Sequence, residues 1–173
     1  MKLGKFFALV LVFGLSSLAT AETLQVGQQA PAFSLQGSDG NTYSLADYVG
    51  KQAVVLAWFP KAFTGGCTIE CKSLAENGHL IREFDVAYFM ASTDPLDKTI
   101  AFAESLEADF PLLSDASTET ANDYGVLVSG IARRHTIYIG SDGKILKVDS
   151  QVTPASSAED MVATLAELGI PKR

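Results

Sequence analysis

Two uninterrupted apolar runs stand out from an otherwise mixed chain. The first is Phe6 to Leu15 (FFALVLVFGL). The second, Ala53 to Phe59 (AVVLAWF), is bounded by Lys51-Gln52 and by Pro60. A short continuous run of this kind predicts a strand buried on both faces. Val86 to Ala91 (VAYFMA) predicts a second buried strand. Between them, Thr68 to Glu83 reads as a helix with Cys67 at its first turn, although Gly78 weakens its middle. Pro95 opens a further helix to about Glu107, with Ile100, Phe102, Ala103 and Leu106 as its apolar side.

Turn residues punctuate the rest. Gly37-Ser-Asp-Gly-Asn separates Phe33-Ser-Leu-Gln from Thr42-Tyr-Ser-Leu, which predicts an N-terminal β-hairpin. Ser114 to Tyr124 reads as a short polar helical link. His135 to Ile139 and Lys144 to Val148 flank Gly140-Ser-Asp-Gly as another hairpin. A last helix, Ser156 to Leu168, starts at a serine N-cap and is closed by Gly169 and Pro171. Strands alternating with helices predict an α/β fold in which a mixed β-sheet is flanked by helices, an order found in the thioredoxin-like fold.

The opening run changes the picture of where the protein works. Lys2 and Lys5 precede its ten apolar residues, and Ala19-Thr20-Ala21 follows. This is the pattern of a secretory signal peptide, residues 1–21, cleaved after Ala21. A membrane-spanning helix needs about 20 apolar residues, so an uncleaved anchor is the lesser alternative. Residues 22–173 then form one domain, exported and most simply periplasmic, with no stable membrane association after cleavage. Losing the leader removes two of the 13 basic residues and none of the 20 acidic ones, so a formal charge of −7 becomes more negative. A nucleic-acid partner is excluded, because a polyanion needs a basic footprint.

The informative chemistry lies in residues 60–71, Pro-Lys-Ala-Phe-Thr-Gly-Gly-Cys-Thr-Ile-Glu-Cys, where a buried strand gives way to a helix. Ligands bind at such carboxyl ends of open α/β sheets. In the first helical turn, unpaired N–H groups and the dipole favour an anion, and so a reactive thiolate at Cys67. Gly65 and Gly66 let the backbone approach a small substrate, and Thr64 offers a hydroxyl three residues before the sulfur. Cys71 lies one turn on. Neighbours at that spacing have Cβ atoms about 5–6 Å apart, whereas a disulfide needs about 3.5–4.5 Å. A bond between these two cysteines, the only ones in the chain, therefore requires the turn to unwind. As a structural crosslink it would contribute at most about 2 kcal/mol, and a strained bridge is the labile kind. A redox-active pair is expected.

This constellation resembles the peroxiredoxins, most closely their Q-type, or bacterioferritin-comigratory, branch. The signature Pro-x-x-x-Thr-x-x-Cys is present as Pro60, Thr64 and Cys67, followed by Thr68 and Glu70. The likeness extends to VGQQAPAFSL near residue 26, ASTD at 91–94, FPLLSD at 110–115, Tyr124-Gly125-Val126 and Arg134-x-Thr136. The resemblance implies a hydroperoxide substrate, no metal and no organic cofactor. It implies that Cys67 is the peroxidatic cysteine, that Thr64 bonds the peroxide, and that Pro60 covers the pocket. Arg134 would stabilise the thiolate and polarise the peroxide, with Glu70 orienting Arg134. Arg133, one place off register, would face solvent. Cys71 would be the resolving cysteine, although the branch places four residues between its cysteines and this chain has three. Failing that, an external thiol would resolve Cys67. A thioredoxin-like or glutaredoxin-like protein would regenerate the enzyme, and a monomer is expected.

Cys67, Cys71 and His135 also resemble the ligand set of the Sco-type copper proteins, two thiolates and an imidazole suiting copper. The prolines usual after each Sco cysteine are replaced by Thr68 and Lys72, and Pro60, Thr64 and Arg134 would go unexplained. A zinc site adding His79 has the ligand count but places His79 two turns beyond Cys71. Trp58 is expected in the core, and Phe63 is a candidate for the substrate entrance.

Overall fold

The computed structural model describes residues 24–173; the leader expected at residues 1–21 lies outside them. Nine strands and four α-helices follow in the order β1 (Ser34–Gly37), β2 (Thr42–Ser44), β3 (Ala53–Trp58), α1 (Gly65–Ile81), β4 (Val86–Ser92), α2 (Leu96–Ser105), β5 (Leu112–Ser114), α3 (Glu119–Asp123), β6 (Leu127–Val128), β7 (Ile131–Ala132), β8 (His135–Ile139), β9 (Ile145–Asp149) and α4 (Ser157–Glu167). Seven strands form one mixed sheet in the order β2-β1-β5-β4-β3-β8-β9, and β6 pairs with β7 apart from it. β3, β4 and β5 run parallel; the other pairings are antiparallel. No helix among the described residues is long and apolar enough to cross a membrane.

β3 is an interior strand between β4 and β8, and every one of its residues is buried. Its alternate residues feed two cores. Val55, Ala57 and the following Phe59 face α1, α2 and α4 with Cys67, Cys71, Leu74, Phe102 and Met161. Val54, Leu56 and Trp58 face Phe33, Leu35, Tyr124 and Val126 on the other side. The apolar run is thus continuous because neither of its faces meets water.

Several elements depart from expectation, each for a physical reason. α1 begins at Gly65 rather than Thr68, with extended Thr64 as its N-cap (φ −97°, ψ 152°); the glycine pair is a poor helix former but costs little in an opening turn. Gly78, which weakens the helix by propensity, is required by packing, because a Cβ there would collide with Tyr88 Oη. In α2 the buried set is Thr99, Phe102 and Ala103, so Thr99 takes the place expected for Ile100. The stretch predicted as a helical link holds the end of β5 and only the five residues of α3. β5, β6 and β7 have three, two and two residues, too few to leave an alternating pattern.

Both ends of the described chain are laced to one pole of the sheet. Gly27 N–H donates to the Ile145 carbonyl at 2.8 Å and Ala30 N–H to that of Gly143 at 2.9 Å. Asp85 N–H donates to Pro171 O and Arg173 N–H to Glu83 O, while Lys172 pairs with Glu83. These contacts gather at the amino ends of β3 and β4, opposite the carboxyl ends where α1 begins.

Candidate functional site

The end of β3 delivers the chain through Pro60 to Thr64 into α1. Thr68 N–H makes the helical bond back to Thr64 O at 2.9 Å. The N–H groups of Gly65, Gly66 and Cys67 therefore have no partner within the helix and form its electropositive end. Cys67 sits in this turn at 1% exposure. Arg134 reaches it from the chain just before β8: Nη2 stands 3.2 Å from Cys67 Sγ. The same guanidinium donates from Nη1 to Glu70 Oε2. Glu70 is fully buried, and its Oε1 has no hydrogen-bond partner. A permanent cation is thus clamped between a buried carboxylate and the sulfur.

Gly66 has a role beyond backbone freedom. A Cβ there would come within 3.1 Å of Arg134 Nη2, so any other residue would press the guanidinium a few tenths of an ångström from its place. Thr64 is exposed, and its hydroxyl donates to the Lys61 carbonyl at 2.8 Å. That uses its proton and leaves its lone pairs to accept a bond from a hydroperoxide O–H. Pro60 is half-buried at the strand end, and Phe63 is 54% exposed beside Thr64.

Cys71 belongs to another environment. It is completely buried among apolar side chains, and burial, with a smaller contribution from Cys67, pushes its thiol up to about 12. Both cysteines are free, and α1 runs unbroken through them. The helix must open locally before the two sulfurs can meet.

The structure brings Cys67, Glu70 and Arg134 together and leaves Arg133 exposed. It does not bring His135 to the cysteines. His135 is registered opposite Trp58, whose face of the sheet is the one away from α1, and successive strand residues point to opposite faces. His79 is exposed on α1. No group of three or more His, Cys, Asp or Glu side chains among the described residues could hold a metal ion. The copper reading built on Cys67, Cys71 and His135 is corrected by this geometry, and so is the zinc reading. Trp58 lies in the core of the far face.

The sequence reading includes Asp94 in the ASTD stretch but gives it no role. It is buried, and its carboxylate accepts Ala62 N–H at 2.7 Å, across 32 positions of sequence. The trace it leaves is an acid closing an apolar strand, which by itself assigns no partner.

Residues 26–148 match the AhpC/TSA family. The chain is 35% identical over 131 residues to Peroxiredoxin Bcp of Escherichia coli K12, covering 70% of this chain and 83% of that protein. The solved structure of Peroxidoxin BcpB from Mycobacterium tuberculosis superposes with a TM-score of 0.75 at 31% identity, over 83% of this chain and 97% of that one. A PrxQ mutant from Xylella fastidiosa shares the fold with a TM-score of 0.78 at 21% identity, over 86% and 99% of the two chains.

Proposed function

Since the chain belongs to the AhpC/TSA family and is a thiol-dependent peroxidase of the peroxiredoxin kind, we propose that Cys67 is the residue that attacks the peroxide. The observation that carries this is the guanidinium of Arg134, 3.2 Å from the Cys67 sulfur at a helix N-terminus. The thiolate forms an S–O bond as the O–O bond breaks, and the electron pair leaves on the departing oxygen, which takes up a proton to give water or an alcohol. Cys67 becomes a sulfenic acid. Arg134 and the free N–H groups of the first turn lie where that charge moves, the setting in which fixed donors lower a barrier most. Thr64 accepts a bond from the incoming hydroperoxide, Pro60 covers the pocket, and Glu70 holds Arg134 in place.

Resolution follows within the same chain. Local opening of α1 frees Cys71 from the core, its thiol condenses with the sulfenic acid, and water leaves as the Cys67–Cys71 disulfide forms. A thioredoxin-like or glutaredoxin-like dithiol then reduces that disulfide by exchange. Because both sulfurs lie on one helix, a monomer completes the cycle. The basic, apolar and small-residue order of the first 21 residues supports export and cleavage after Ala21, and so a periplasmic site of action.

The test is stopped-flow mixing of the reduced protein with one equivalent of hydrogen peroxide, followed by thiol counting and intact mass. Rapid loss of both thiols with the mass of two hydrogens is expected. Gain of one oxygen with one thiol left would remove Cys71 from the cycle. Cys67→Ser should abolish turnover, and peroxide consumption by that variant would sink the mechanism.

A further inference from the structure

The carboxyl end of β4 carries a polar cluster that the reaction above does not use. Asp94 is 7% exposed. Its Oδ1 pairs with Lys98 Nζ at 2.7 Å, and its Oδ2 accepts Ala62 N–H at 2.7 Å. Its own backbone is held as well: Asp94 N–H donates to Ser92 Oγ at 3.1 Å, and Ser114 Oγ of β5 donates to its carbonyl at 2.8 Å. Asp94 is therefore fixed by β4, β5 and α2, and the one bond it sends elsewhere goes to the loop between Pro60 and Thr64.

That loop is strained where Asp94 grips it. Phe63, the residue after Ala62, has φ +65°, which a bulky side chain rarely adopts. Such conformations persist only where the surroundings over-determine them. Here the surroundings are the Asp94 bond on one side and an edge-on contact of the Phe63 ring with Phe102, centroids 5.2 Å apart, on the other. Phe102 belongs to α2, as does Lys98, so one helix backs both supports.

We propose that Asp94 is a positioning residue for peroxide attack. By holding Ala62 N–H it keeps Phe63 in its left-handed conformation, and so sets where Pro60 and Thr64 stand relative to the Cys67 sulfur. Lys98 occupies Oδ1 and leaves Oδ2 aimed at the loop. The inference rests on the assignment of Cys67 and Thr64 to the peroxide site. Its leverage is large, because a misplacement of about 1 Å at reacting groups costs about 100-fold in rate.

The experiment compares two rates at Cys67 in the whole protein: single-turnover oxidation by hydrogen peroxide, and alkylation by iodoacetamide located by peptide mass. Alkylation reports the sulfur alone, whereas peroxide reduction also needs the loop. Asp94→Ala is expected to slow peroxide oxidation at least about tenfold while alkylation stays unchanged or quickens. Asp94→Asn, which keeps an acceptor at the same reach, should restore the peroxide rate to within about threefold of the parent. A peroxide rate in Asp94→Ala within about twofold of the parent, or the two rates falling in proportion, overturns the proposal. If Asp94→Ala does not fold, the surface-reaching Lys98→Met serves instead. A loss of about threefold in the peroxide rate alone is expected, and no change in either rate overturns it. Cys67→Ser separates the two failures, because a peroxidase that survives it refutes the site assignment rather than the role of Asp94.

Discussion

The first and second turns of α1 present the same side chain to two different worlds. Cys67 has a guanidinium 3.2 Å from its sulfur and the open N–H groups of a helix start beneath it. Cys71, one turn on, has an apolar core around it and a thiol pushed up to about 12. The two turns differ in what they face: the helix end and Arg134 for one, the packed interior for the other. The Cys71 thiol keeps its proton, and in the unbroken helix it stays out of reach of the Cys67 sulfur.

The sharpest way to break this contrast is to remove the cation. Arg134→Ala should slow peroxide oxidation of Cys67 about 10²–10³-fold, the usual cost of losing a donor aimed at developing charge, as measured by single-turnover stopped flow. It also leaves Glu70 buried without a partner, which costs about 3–5 kcal/mol. The double variant Arg134→Met with Glu70→Gln should recover much of the stability in urea denaturation and none of the rate. Recovery of both would mean the arginine acts only as a structural partner.

Removing the second thiol sharpens the contrast instead. Cys71→Ala should leave the first attack within about twofold and stop at the sulfenic acid, seen as one added oxygen in the intact mass. The same variant reads the buried thiol through pH. The raised value means that the unfolded thiol ionises near 9.0 while the folded one keeps its proton to about 12. Stabilisation present below pH 9.0 is therefore lost as pH rises through that window. Cys71→Ala lacks this component, so its unfolding free energy should fall less steeply with pH across the window. Parallel curves for the two proteins would contradict the burial of Cys71.

The smallest effect on the chemistry is expected at the far end of the helix. Gly78→Ala forces a methyl against Tyr88 Oη and should cost about 1–3 kcal/mol, read as a lower urea midpoint. The single-turnover peroxide rate should stay at the parent value. A slowed rate would show that the two ends of α1 are coupled more tightly than the contrast between its turns implies.

Much of this site was legible in advance because its signals are local or chemically unusual. The run at β3 marks an interior strand by composition alone. Pro60, Thr64 and Cys67 fall within eight consecutive residues, and the register of Arg134 against Arg133 is a matter of strand alternation. Other parts were not legible. β5 owes its place to pairing with β4 and β1 rather than to any pattern in three residues. Gly78 looks like a weakness until Tyr88 is seen behind it. Asp94 acts across the fold through one backbone N–H, and no spacing rule connects an acid to a partner of that kind. The alternative built on His135 failed for a reason available to alternation, since Arg134 and His135 could not both turn toward Cys67.

The lacing of both ends of the chain to the amino-terminal pole of the sheet has a consequence for handling the molecule. Residues 24–30 enter beside the β8–β9 turn, and residues 170–173 finish against 83–85, while Cys67 lies at the opposite pole. A sensor surface, bead or fusion partner attached after Arg173 would stand at the pole away from Cys67. Protein joined to a bead after Arg173 should therefore consume dissolved peroxide at the rate of the free protein.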